Sequence, residues 1–194
     1  MTEADEMYQN AGEKGIKHED PDDPPRRRAN KVRGHGTWDN DRPPIAGVVG
    51  RDSGEIRLAV CHHSDRQTLQ PFVAARTSDT ATVFTDEWQA YDHLPETGRT
   101  HARVCHTPGQ REWARDDDAD GIREVHCNTM EGIWTGLRNF LRLFRGLNKA
   151  YLSQYTAVFE LGHNRKEVTP TLLRAMTKQS PSSGGMTPCT SGAT

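Results

Sequence analysis

The stretch from Val125 to Gly146, VHCNTMEGIWTGLRNFLRLFRG, constrains this chain more than any other. Met130, Ile133, Leu137, Leu141 and Phe144 recur at the spacing of one face of an α-helix. Asn128, Glu131, Thr135, Arg138, Arg142 and Arg145 form a polar stripe on the same helix. The apolar stripe has to be laid on a sheet or a second helix. The polar stripe begins with a carboxylate and continues in arginines, which suits a metal ion at one end and a phosphate backbone along the rest. A solvated face with charge pairs three and four residues apart has the same appearance. Its meaning therefore depends on what the rest of the chain places beside it.

Charge is unevenly distributed. Residues 121–178 carry nine Lys/Arg against four Asp/Glu, whereas the first 120 carry 16 basic and 23 acidic groups. The basic half is the one that holds the helix, an asymmetry that permits nucleic-acid contact on one face. The chain is 194 residues long, which fits one domain with tails, and only 33% of it is hydrophobic, so part is expected to be loop or tail. No run is apolar enough to span a membrane, and the acidic start does not read as a signal peptide. Cys61, Cys105, Cys127 and Cys189 form no C-x-x-C pair, and together these features predict a cytoplasmic protein with reduced thiols. The Cys/His pairs at 61–63, 105–106 and 126–127 lack the spacing of a structural zinc site.

Local patterns predict an α/β plan with a mixed sheet. Residues 45–50 and 55–60 are β-rich runs around Arg51-Asp52-Ser53-Gly54, a hairpin signal. A helix is expected over 69–75, capped by Ser64 or Asp65. ATVFTD (81–86) reads as a short buried strand ending in an acid, 87–94 as a helical turn, and HARVCH (101–106) as a further strand. An acidic loop over 111–120 leads to the long helix. A second amphipathic helix is expected near 147–163, with Leu152, Tyr155, Val158 and Phe159 as its apolar side, and one more helical turn over 168–176. Residues 9–43 are rich in Gly, Pro and charge, a loop insertion whose basic cluster PPRRRANKVR (24–33) suits phosphate contact. The stretch after 179 is of low complexity and reads as disordered. These limits predict one domain over 1–165 and an extension over 166–194.

An acid at the end of a buried strand projects from a sheet edge, where phosphoryl-transfer sites need carboxylates. Mg²⁺ takes oxygen ligands in octahedral geometry. Asp5, Asp86 and Glu131 come from separate elements and are the candidates. Taken singly, Asp86 could be a helix cap and Asp5 a terminal acid. Trp88 and Trp134 read as core residues rather than stacking platforms.

The motifs TDEWQAYDHL (85–94), His106 after a strand, and HCNTMEGIWTGLRNFLR (126–142) resemble the core of insertion-sequence transposases of the DDE superfamily, in the group whose third motif contains Asn-x-x-Glu. Asp5-Glu6-Met7-Tyr8 resembles the first motif of that group. The resemblance extends through PPIAGVVGR (43–51) and FELGHNRKEVTP (159–170), over most of residues 3–175. It implies a ribonuclease H-like mixed sheet flanked by helices, and metal-dependent DNA strand cleavage and strand transfer with Mg²⁺ (or Mn²⁺). It implies Asp5 and Asp86 as the first two metal carboxylates, and Asn128 or Glu131 as the third catalytic position. Glu131 is favoured as the metal ligand because an amide supplies no negative charge. Arg138 stands where the family usually has Lys, and with Arg142 and Arg145 would contact DNA phosphate. Element ends and target DNA are the implied partners, with a homo-oligomer as the active form. Only four residues precede Asp5, so an N-terminally truncated chain with a short or missing first strand is expected. An inactive remnant with weak or no DNA binding is the alternative.

Overall fold

In a computed structural model, residues 1–22, 35–165, 167, 169, 170 and 174 are described. The basic cluster at 24–33, the tail after 179 and most of the turn expected over 168–176 lie outside them. The chain divides into two units, Met1–Asn164 and Arg165–Thr194. The first unit holds the sheet and its helices.

The first strand, β1, runs over Thr2–Tyr8. The expectation of a short or missing strand is thus corrected. Thr2 already pairs with Gly50 of β2 (Pro44–Gly50) and with Val83 of β4 (Thr82–Thr85). β3 (Ile56–Val60) and β5 (Thr100–Arg103) complete a sheet ordered β3-β2-β1-β4-β5. β2 is antiparallel to both of its neighbours, while β1, β4 and β5 are parallel. β1 is therefore central, although TEADEMY carries three acids.

Alternation along β1 assigns those acids to faces. Glu3, Asp5 and Met7 face α2 (Asn128–Arg142), while Ala4, Glu6 and Tyr8 face the side that carries α1 (Arg66–Ala74). α1 is capped by Asp65, whose side chain accepts from Thr68 N at 2.9 Å. The helical turn or short helix expected over 87–94 takes the form of two 3₁₀ turns, Gln89–Tyr91 and Leu94–Thr97.

α2 presents its faces as the periodicity requires. Met130, Ile133, Leu137 and Leu141 are buried, while Asn128, Glu131, Thr135, Arg138 and Arg142 lie on the opposite, more accessible side. The helix ends at Arg142, so half-buried Phe144 and exposed Arg145 lie beyond it rather than on its expected stripes. Close approach to the sheet depends on Gly47. A Cβ there would lie 2.5 Å from both Met130 Cε and Trp134 Cη2.

α3 (Leu152–Asn164) starts later than expected, after a 3₁₀ turn over Lys149–Tyr151. Leu152 is buried, but Val158 is 58% exposed, which removes it from the predicted apolar side. Polar side chains of α3 cover the edge strand β3. Ile56 N donates to Asn164 Oδ1 and Asn164 Nδ2 donates to Ile56 O, each at 2.9 Å, and Leu58 N donates to Glu160 Oε2 at 2.7 Å. Backbone groups that would otherwise invite another strand are thereby satisfied. Among the described residues no helix is long and apolar enough to cross a membrane.

Candidate active site

Asp5 lies in mid-strand and Asp86 follows the last residue of the parallel neighbour β4. The sheet therefore brings these two sequence-predicted acids to one place. Asp5 Oδ1 accepts from Glu6 N at 2.8 Å, and Oδ2 accepts from Trp134 Nε1 at 2.7 Å. Asp86 Oδ1 accepts from Trp88 N at 3.0 Å, a tight turn that orients the carboxylate. The following 3₁₀ turn has Trp88 at its N-cap and no side-chain capping bond, so Asp86 is not a helix cap. Trp134 is buried, as expected of a core residue, yet its N–H also serves the site. Trp88 is half-buried; its indole donates to Ser64 O at 2.7 Å and stacks on His35.

The local electrostatics are those of crowded like charges. Burial, then repulsion from Asp86 and Glu6, pushes the Asp5 carboxyl well above the usual carboxylate range. Burial raises Asp86 as well, opposed by the Trp88 N–H and by His106. Glu6, on the other face of β1, is pushed up to about 7 by burial and by Asp86. It accepts from Tyr91 Oη at 2.8 Å and from Tyr8 Oη at 3.2 Å. Neighbouring carboxylates that disfavour one another's ionisation form a donor set suited to a hard divalent cation, whose charge would reverse that penalty.

The turn after β4 is fixed from β5 and the loop beyond it. Buried Thr85 donates from Oγ1 to Asp86 O at 2.7 Å and meets His101 Nε2 at 2.8 Å. The single hydroxyl proton is committed to Asp86 O, so His101 Nε2 is the donor to Thr85. Glu87 accepts from Thr107 Oγ1 at 2.6 Å and Thr107 N at 3.2 Å. Hydrogen bonds from Cys105 and then Thr107 hold its carboxyl down at about 2. This clamp keeps the loop bearing His106 beside Asp86.

Glu131 and Asn128 occupy the exposed first turn of α2, Glu131 one turn before Trp134. Among the described residues, the carboxylates of Asp5, Asp86 and Glu131 do not close into a trio within 4.8 Å. The trio that does is Asp116, Asp118 and Asp120, in the acidic loop before α2. Arg138, Arg142 and Arg145 line a groove of ≈ 370 Å³ together with Tyr8, Gln9 and Asn10 from the end of β1. The basic stripe and the strand that carries Asp5 thus share one depression.

Sequence reasoning missed Glu3. It is fully buried and accepts from Arg51 Nε at 2.7 Å, Thr129 Oγ1 at 2.8 Å and Met130 N at 2.9 Å. Its signal was the alternation of acids at 3 and 5, which puts both on one face of a strand.

A family model described as the ISXO2-like transposase domain matches residues 2–162. The chain belongs to that transposase family. An uncharacterized protein in transposable element ISH50 of Halobacterium salinarum is 33% identical to this chain over 167 residues, covering 86% of this chain and 52% of the relative. The chain thus spans about half the length of that curated relative. A chain of the simian T-cell lymphotropic virus intasome in complex with PP2A regulatory subunit B56 gamma aligns with a TM-score of 0.52 at 10% identity, over 100% of this chain and 59% of that one. The catalytic core domain of BIV integrase aligns at 8% identity with a TM-score of 0.46, over 90% of this chain and 95% of that one. The transposase domain has the ribonuclease H-like α/β fold that its motifs imply, a five-stranded mixed sheet flanked by helices.

Proposed function

We propose that this domain cleaves and joins DNA strands at the element ends, using Asp5, Asp86 and a residue of the first turn of α2. The observation that carries the reading is the closeness of Asp5, on β1, to Asp86, just after the parallel neighbour β4, two acids whose charges oppose one another. Glu131 is the proposed third ligand, with Asn128 as the alternative. Mg²⁺ or Mn²⁺ held there supplies positive charge to a phosphoryl group in transfer.

The chain's own groups do the rest. Trp134 and Glu6 N fix the orientation of Asp5, and Trp88 N fixes that of Asp86. Arg138, Arg142 and Arg145 steady the DNA backbone along the groove that ends at Tyr8. A homo-oligomer that brings two element ends together is part of the same proposal.

The test is incubation of the protein with plasmid DNA carrying the element ends, with Mg²⁺ or with a chelator. Wild type is expected to nick and then join strands only with the metal, and Asp86→Asn to lose at least a hundredfold of the rate. Equal rates in the two proteins would refute the mechanism. No nicking by wild type would favour the inactive remnant.

A further inference from the structure

Glu3 has no place in the chemistry just described, yet it is a fully buried carboxylate two residues from Asp5 on the same face of β1. Its partners are specific. Cys127, at the N-cap position of α2, makes no side-chain capping bond. Glu3 takes over that role from the sheet, accepting from Met130 N at 2.9 Å and Thr129 Oγ1 at 2.8 Å. A carboxylate at a helix N-terminus satisfies otherwise unpaired N–H groups and complements the helix dipole.

Arg51, from the turn after β2, locks the arrangement. Its Nε donates to Glu3 Oε1 at 2.7 Å, and its NH2 group donates to His126 O at 2.7 Å. NH1 reaches Glu124 O at 2.5 Å, and the guanidinium lies 4.2 Å from the centre of the Phe84 ring. The residues leading into α2 are therefore held through one arginine to the strand that bears Asp5. Burial of such a pair needs a reason beyond stability, because apolar residues of similar volume often hold a fold together equally well.

We propose that Glu3 and Arg51 are positioning residues, which set the distance between Asp5 and the Asn128–Glu131 turn and so tune metal affinity. The inference rests on the reading that Asp5, Asp86 and that turn share a metal. In Glu3→Gln an amide replaces the charge that holds Arg51 and the helix N-terminus, and the turn gains freedom relative to Asp5.

The experiment measures Mn²⁺ binding to the whole chain by electron paramagnetic resonance of the free ion, with no DNA and no turnover. Wild type should bind Mn²⁺, Asp86→Asn should lose that binding, and Glu3→Gln should raise the dissociation constant at least tenfold. Asn164→Ala, which loosens the β3 edge far along the chain from this turn, controls for lost stability and should leave the constant unchanged. If Glu3→Gln does not fold, Thr129→Val removes one donor to Glu3 and is expected to raise the constant about threefold. Wild-type affinity in a folded Glu3→Gln, or in Thr129→Val where the former does not fold, would overturn the positioning role alone. An equal weakening in Asn164→Ala would also overturn it. Wild type without binding, or binding that survives Asp86→Asn, would overturn the shared metal site and the inference with it.

Discussion

Single side chains here serve packing and polar contacts together. Trp134 fills the space above Gly47 and points its N–H at Asp5. The sequence shows Trp134 as a core residue, because indoles are usually buried, but nothing local reveals which acid its N–H meets. His101 shows the same economy at the Asp86 turn. Burial is the largest influence on its ring and lowers its pKa below the ordinary 6.5, Asp92 opposing and Arg103 reinforcing the shift. The unfolded chain therefore binds a proton at a higher pH than the folded one. The stability due to the neutral ring is complete above about pH 6.5 and is lost as the pH falls through the folded value. Urea midpoints measured from pH 8 to pH 5 should decline below pH 6.5. His101→Gln, which keeps a donor for Thr85 without a titrating ring, should flatten the part of that slope that His101 causes. An unchanged slope would show that the ring is not the titrating group.

At the scale of elements, the helices were legible where one period dominates. The apolar and polar faces of α2 follow from a spacing repeated over fifteen residues. β1 was legible only through the motif resemblance and not at its full length, because TEADEMY is rich in acids and its partners in β2 and β4 lie far along the chain. Its acids are tolerated inside because Arg51 and the α2 N-terminus receive Glu3, and Tyr91 receives Glu6. The pair Asp5–Asp86 was found from motif resemblance, whereas Glu3 and Glu6 needed the sheet. The contact between α2 and the sheet is narrow at Gly47. Gly47→Ala should cost roughly 1–3 kcal/mol by displacing Trp134, because a rigid ring cannot yield as the end of a methionine can. Denaturant unfolding measures that loss, and the change in tryptophan fluorescence locates it. A variant as stable as wild type would mean that α2 shifts freely.

For the whole molecule, the early acidic part supplies the strand-borne carboxylates and the later basic part supplies the arginine stripe. The fold brings the end of β1, the strand that carries Asp5, to the groove lined by Arg138, Arg142 and Arg145. DNA affinity should therefore depend on salt. Replacing all three arginines by Gln should weaken binding to any sequence. It should also reduce the slope of log affinity against log salt by roughly 0.9 for each duplex phosphate that the arginines neutralise. An unchanged slope would place the DNA elsewhere.

The central claim, that Asp5, Asp86 and the start of α2 surround one metal site, is tested most directly by replacing Mg²⁺ with Fe²⁺. Ascorbate and peroxide then generate radicals that cut the backbone next to the bound ion, and mass spectrometry maps the cuts. Cleavage is expected near Asp5, near Asp86 and within Asn128–Glu131, with all three cuts lost in Asp86→Asn. Cuts confined to Asp116–Asp120, or cuts that persist in Asp86→Asn, would contradict the account.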